Sequence, residues 1–218
     1  FQAEDGIRDC LLSRGLGDVY KRQDLQSAMS IFHSALTTED YEVPEGHYEE
    51  EQMKQTVVPN RNAIFASILY GYALSIATKN DTSVKIGLGV HSGDHEIYPD
   101  CRPEFYDALE HAFQVGNWDS EKVSFYLPYL EGDKETILMD AEKSLDKLNL
   151  DFDTIFANTN TSYNPDEQGR SSGKSGADIE RILAFNAIGR KDPVPYVDDW
   201  SKVLEHAIKI EKEHKEKI

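Results

Sequence analysis

Between residues 91 and 102 the chain concentrates side chains that can handle charge: His91, Asp94 and His95, then Tyr98, Asp100, Cys101 and Arg102. A guanidinium beside carboxylates can hold an anion such as a carboxylate or phosphate, and the carboxylates can accept from N–H groups or help hold Mg²⁺. His91, His95, Asp94 and Cys101 are also of metal-ligand type, but their spacing belongs to a loop, where two ligands are not placed on one face. Each histidine can equally be a polar loop residue bonded to a neighbour. Two further places offer cations at helix starts, where free backbone N–H groups favour anions. Arg61 and Asn62 open a helical stretch, and Arg61 reads either as a surface charge or as a ligand for phosphate or substrate. Lys134 stands at the start of another helix, where a cation opposes the helix dipole by a few tenths of a kcal/mol, a cost that hints at a ligand.

The elements that must position these groups are set by periodicity. Val84, Ile86, Leu88 and Val90 alternate with Lys85, Gly87 and Gly89, the period of a strand, and the glycines are expected to let other backbone approach that face. Pro103 can open a helix that carries Phe105, Leu109, Ala112 and Phe113 inward and stops at Gly116. Residues 123–127 form a short β-prone run, and Asp133 caps a helix over 136–148, with Glu135 complementing its dipole. Ahead of this, Leu25, Met29, Phe32 and Leu36 have helical spacing, residues 39–51 read as an acidic solvated loop able to act as a lid, and Asn60 can cap a helix whose stripe is Ile64, Phe65, Ile68, Leu69, Tyr72 and Ile76. The end of the chain, 200–218, reads as a helix rich in Lys and Glu, exposed except for Val203, Leu204, Ile208 and Ile210. Strands alternating with helical crossovers predict an α/β fold, a mainly parallel sheet flanked by helices, with its ligand beyond the carboxyl ends of the strands.

Composition excludes several classes. A chain of 218 residues with 39% hydrophobic residues can bury one domain's core, and its net charge of -17 disfavours a broad nucleic-acid or anionic-membrane surface. No apolar run approaches the roughly 20 residues that span a bilayer. Two cysteines, Cys10 and Cys101, make a disulfide framework implausible and a reducing cytoplasm the expected location. Residues 1–23 have no clean period and carry four acidic and four basic residues, so the whole net charge lies downstream. They resemble translated adapter read-through and are set aside as a non-native leader; the natural protein is then expected to begin upstream of Asp24. Within them, residues 13–18 imitate a phosphate loop without the strand and helix that such a loop needs.

Val58-Pro59-Asn60-Arg61-Asn62, Gly89-Val90 followed by Asp94, and Tyr98-Pro99-Asp100-Cys101-Arg102-Pro103-Glu104-Phe105, in this order and spacing, resemble the 7-cyano-7-deazaguanine synthases of queuosine biosynthesis. The resemblance runs from Asp24 to about Gly189. It implies a Rossmann-like, adenine nucleotide alpha hydrolase-like fold and an ATP- and Mg²⁺-dependent carbon–nitrogen ligase. Such an enzyme adenylates the carboxylate of 7-carboxy-7-deazaguanine, lets ammonia displace AMP, and dehydrates the amide to a nitrile with a second ATP. Carried onto this chain, it implies catalytic roles for Arg61, Asp94, Arg102 and Lys134, and substrate binding by Asn62, Tyr98 and Asp100.

The chain departs from the family pattern twice. The first strand and the Ser-Gly-Gly-x-Asp-Ser phosphate loop are missing, so this polypeptide is expected to be inactive with ATP. The family's zinc cysteines are replaced by Ser162, Ser172, Ser175 and Asp178 within a remodelled lobe at 159–181, so no zinc is expected; these side chains should cap the turn and the helix over 179–187 instead. Residues 24–190 form the synthase-like domain and 191–218 a C-terminal helical extension, and a homodimer is left open. Two other functions stay in view: a related pyrophosphatase-type enzyme acting on a different deazapurine or a macromolecule, and a degenerate, non-enzymatic binding module.

Overall fold

The computed structural model describes residues 31–36, 43–163 and 165–217. Its centre is a parallel pair of strands, β1 (Val84–Gly87) and β2 (Val123–Tyr126), in register from Val84 opposite Val123 to Gly87 opposite Tyr126. Two helices pack on them, α1 (Arg61–Asn80) before β1 and α2 (Pro103–Gly116) between the strands. Four more follow among the described residues: α3 (Lys134–Leu148), the short α4 (Phe152–Phe156), α5 (Gly176–Ala187) and α6 (Trp200–Lys215). The architecture is α/β, with a small parallel sheet flanked by helices. No helix of the described residues is long and apolar enough to cross a membrane. The leader at 1–23 lies outside the described residues.

The helices start and stop where local chemistry dictates. Pro103 is the first residue of α2, where its missing N–H costs nothing. Asp133 caps α3 by accepting from the Thr136 backbone N–H at 2.8 Å, and Ser175 caps α5 by accepting from that of Asp178 at 3.2 Å. Asn60 does not cap with its side chain; it takes a left-handed conformation, φ 60°, which asparagine tolerates, and turns the chain into α1.

Four expectations about faces need correction. In α1 the buried residues are Ala66, Tyr70, Ala73 and Ala77, while Leu69 is exposed. Ala73 and Ala77 let this helix lie close to the strands, so small residues together with Tyr70 mark the packed face. In α2 the buried residue is Tyr106 and Ala112 is exposed; in α6 Ala207 is buried and Ile208 is exposed. Around Gly87 and Gly89 nothing among the described residues lies within 4 Å of where a Cβ would stand, so these glycines do not serve a close approach. β1 itself ends at Gly87, although the Leu88 N–H still donates to the Tyr126 carbonyl at 3.1 Å. Of the helix expected over 24–36, Leu25 and Met29 lie outside the described residues. Residues 31–36 form a turn in which Ala35 is buried and bonded to the Gln55 carbonyl at 2.8 Å.

The core is divided among clusters that meet at α5. Leu138 and Leu145 of α3 pack with Phe152 of α4 and with Ala184 and Phe185, while Ile179 and Ile182 pack with Val203 and Ala207 of α6. Full burial of such side chains contributes roughly 1.5–3 kcal/mol each. α6 is therefore packed against α5.

Candidate functional site

Parallel pairing puts the carboxyl ends of β1 and β2 side by side, and the loops that leave those ends converge. The turn at Ser92–Asp94 is tied to the loop after β2, because Ser92 donates to the Gly132 carbonyl through its backbone N–H at 2.7 Å and its hydroxyl at 2.6 Å. Two residues beyond Gly132, Lys134 begins α3 and sets its ammonium 3.2 Å from His91 Nε2. From α5, Glu180 pairs with Lys134 and stands 3.8 Å from His91 Nδ1. A Cβ on Gly93 would collide with that carboxylate and with the His91 ring, so a glycine is required here for close approach.

The loop at 43–50 closes the group from another side. Tyr48 is buried and donates to Asp94 Oδ1 at 2.6 Å, and its ring lies 5.5 Å from the Lys134 ammonium. Gly176 makes room for it, since a Cβ there would come within 2.9 Å of the Tyr48 Cα. The acidic loop is thus not merely solvated: its one aromatic residue in 43–50 is built into the interior. Burial first, and then the Asp94 carboxylate, push the Tyr48 phenol far above its ordinary range.

His91 is buried, and burial followed by the neighbouring Lys134 charge lowers its pKa, so the ring is neutral near pH 7. With Lys134 donating to Nε2, the ring proton sits on Nδ1, toward Glu180. Asp94 Oδ2 lies 3.5 Å from the same Nε2. Lys134, His91, Asp94, Glu180 and Tyr48 form one connected group containing a cation, two carboxylates and a neutral imidazole. An incoming anion would compete with Glu180 for the ammonium, and the imidazole could take or pass a proton.

A second set lies beside the first. Tyr98 is 6.0 Å from Tyr48 between ring centroids and shares a 2.5 Å hydrogen bond with the Thr56 hydroxyl. The Arg61 guanidinium stands 5.8 Å over the Tyr98 ring and forms no ion pair among the described residues. Asn62 holds Asp100, its backbone N–H to Oδ2 at 3.4 Å and its amide to the backbone carbonyl at 3.3 Å. Asp100 Oδ1 is buried without a partner among the described residues, as is His95 Nε2. Arg102 is spent differently: it donates to the His95 carbonyl at 2.6 Å and to that of Glu96 at 3.4 Å, clasping the loop that carries Asp94. The Cys101 thiol faces the Asn62 amide at 3.5 Å, and burial, then the nearby carboxylates, push it up to about 12; it is no thiolate.

The remodelled lobe is drawn together around one carboxylate. The Ser162 and Ser172 hydroxyls and the Gly173 N–H all donate to Asp178 Oδ2, at 3.3, 3.2 and 3.2 Å. These donors do not suit zinc: hydroxyls are neutral and weak ligands, and they are already satisfied by the single carboxylate they surround. Asp178 Oδ1 has no partner among the described residues, and burial raises the pKa of this acid.

A sequence profile described as "Queuosine biosynthesis protein QueC" matches residues 12–189. The chain belongs to this family. The QueC-family match begins inside the stretch set aside as a leader and ends before α6. Among curated relatives, 7-cyano-7-deazaguanine synthase of Marinomonas sp. (strain MWYL1) is 42% identical over 183 residues, covering 84% of this chain and 76% of the relative. 7-cyano-7-deazaguanine synthase 1 of Colwellia psychrerythraea is 40% identical, covering 81% and 73%. The Psychromonas ingrahamii synthase is 43% identical, covering 76% and 67%. No solved structure matches the chain significantly.

For this QueC-family chain, sequence reasoning named Arg61, Asn62, Asp94, Tyr98, Asp100, Arg102 and Lys134 as candidates and did not name Tyr48, Thr56 and Glu180, which are hydrogen-bonded to or paired with Asp94, Tyr98 and Lys134. Gly93 was the available signal for Glu180, as a residue kept free of a side chain inside a charged tip. For Tyr48 it was an aromatic residue isolated among acids.

Proposed function

We propose that the enzyme to which this chain belongs is a 7-cyano-7-deazaguanine synthase, a carbon–nitrogen ligase that uses ATP to convert 7-carboxy-7-deazaguanine and ammonia to the nitrile. The observation that carries this reading is the contact chain from Arg61 and Tyr98 through Tyr48 to Asp94, His91 and Lys134. It sits at the strand ends of a chain whose relatives bear that name. A carboxylate is a poor electrophile, and adenylation gives it a leaving group, AMP, that ammonia can displace. In this reading Arg61 and Lys134 neutralise the substrate carboxylate and phosphate oxygens. Asp100 Oδ1, a buried acceptor with nothing to accept, receives an N–H of the deazapurine edge. The neutral His91 takes the proton that the attacking ammonia sheds.

Mg²⁺ would enter with the ATP phosphates. Of the nearby carboxylates Asp94 offers Oδ2, which among the described residues has only the unprotonated His91 Nε2 beside it at 3.5 Å, whereas Asp100 Oδ1 is given to the deazapurine. The 218-residue sequence contains no Ser-Gly-Gly-x-Asp-Ser run to grip pyrophosphate, so we propose that it binds the acid without turning ATP over. The test is calorimetric titration of this polypeptide with 7-carboxy-7-deazaguanine, 7-cyano-7-deazaguanine and guanine, alongside an assay for AMP. Preferential binding of the acid, lost in Arg61→Ala, is expected; equal affinity for guanine defeats the substrate assignment, and AMP formation defeats the proposed inactivity.

A further inference from the structure

Beside the candidate site, α6 meets the loop at 43–50 through two histidines and two glutamates. His47 and His214 stack with ring centroids 3.7 Å apart and planes 7° from parallel. His47 Nε2 lies 2.8 Å from Glu211 Oε2, and His214 Nε2 lies 3.0 Å from Glu49 Oε2. One ligand atom from each of His47, Glu49 and His214 falls within 4.8 Å of the others. The histidine side chains are 11% and 14% exposed, so the donors are sheltered yet reachable. We propose that these residues form a divalent transition-metal site, with Zn²⁺ as the ion, that pins α6 to the loop carrying Tyr48.

The chemistry supports this assignment. Two imidazoles and a carboxylate are a donor set that Zn²⁺ favours, and Glu211, outside the cluster of three but 2.8 Å from His47 Nε2, is the nearest further carboxylate. Zinc bonds of about 2.0–2.1 Å bring tetrahedral donors to roughly 3.3 Å from one another, so the cluster must contract from its present spread. Stacked rings aim their lone pairs in parallel, and binding therefore turns both rings about their Cβ–Cγ bonds and exchanges the stack for convergence. It also moves the His47 ring nitrogen that now accepts the Glu49 N–H at 3.2 Å. The salt link from Lys217 to Glu50 at 3.1 Å already holds the same two segments together, so the contraction starts from a docked state. The consequence reaches the candidate site, because Tyr48, between His47 and Glu49, is the residue that donates to Asp94. His47 and Glu49 lie within the matched family segment and His214 beyond it, so the site joins that segment to α6.

The test is a titration of the untagged 218-residue protein, stripped with chelator and dialysed, with Zn²⁺ in excess Mg²⁺, and separately with Co²⁺ read by its visible absorption. One zinc per chain and a tetrahedral cobalt spectrum are expected. His47→Ala and His214→Ala should each weaken zinc by more than about 100-fold, beyond the ~10–100-fold that loss of an outer partner costs. Glu49→Gln, which keeps the histidines and their packing, should weaken it measurably with the far-ultraviolet dichroism unchanged, while Asp178→Asn leaves binding as it was. Zinc that persists in both histidine variants, that is lost with Asp178, or that never binds at micromolar concentration overturns the proposal.

Discussion

Glu180 and Arg181 are neighbours on α5, and each belongs to a different sheltered charge cluster. Arg181 forks onto Asp192, Nε to Oδ2 at 2.5 Å and Nη2 to Oδ1 at 2.9 Å, and also donates to the Thr159 hydroxyl at 2.9 Å. Asp192 further accepts from Tyr196 at 2.8 Å and from the Val194 N–H at 3.2 Å. Among the described residues nothing in that cluster is left over. On the Glu180 side, Lys134 is divided between a carboxylate and an imidazole, and Asp100 Oδ1 and His95 Nε2 have no partner among the described residues. A saturated cluster can only hold the fold together, whereas one with surplus capacity can take a ligand.

The contrast between the two clusters breaks most sharply at Arg181. Removing it leaves the Asp192 carboxylate buried and uncompensated, so Arg181→Ala should cost about 3–5 kcal/mol in urea unfolding while Arg181→Lys recovers only part. If the variant unfolds with wild-type stability, the cluster is not structural.

Lys134→Met probes the other neighbour and should cost less, about 1–3 kcal/mol, because Glu180 keeps some access to water. Its larger effect should be on binding of the carboxylate substrate, weakened by at least about tenfold. The variant also carries a titration signature. His91 has a folded-state pKa below its unfolded value, so the unfolded chain binds more protons there, and stability falls as pH drops from about 6.5 toward the folded value. Deleting the Lys134 charge removes one cause of that depression, and the acid-side loss should become shallower. Resonances of His91 followed against pH would check this directly.

How much of this was readable from residue order depends on distance along the chain. The strands, Pro103, Gly116 and the Asp133 cap were legible because each is set by a few adjacent residues. The packed face of α1 was not, because alanines carry little hydrophobic signal and only the neighbouring strands show that close approach selects them. Of the site, the tip and Lys134 were legible as charges placed against local preference. Tyr48 and Glu180 were not, since 46 residues separate Tyr48 from Asp94 and 46 separate Lys134 from Glu180, and no local rule spans such gaps. Arg102 adds a role that residue order did not suggest: besides standing beside the tip, it is hydrogen-bonded to two loop carbonyls.

The smallest effect sharpens the same contrast with two aspartates that hold helix starts in opposite ways. Hydrogen bonds from Thr136 lower the Asp133 pKa, so its contribution is present at neutral pH and is lost as pH falls through the folded value. Burial raises that of Asp178, so the folded state holds its proton more tightly and stability declines as pH rises above the ordinary carboxylate range. Asp133→Ala should therefore cost about 1 kcal/mol at pH 7 and progressively less toward pH 3. Asp178→Asn keeps an oxygen for the Ser162, Ser172 and Gly173 donors and relieves a buried charge, so it should stay within about 1 kcal/mol of wild type at pH 7 and lose ground only on acidification. Urea unfolding of both variants across that pH range should give differences from wild type that run in opposite directions. Parallel curves would mean that the lobe around Asp178 holds its carboxylate charged at no cost, and that its unpartnered oxygen is satisfied by something the protein binds.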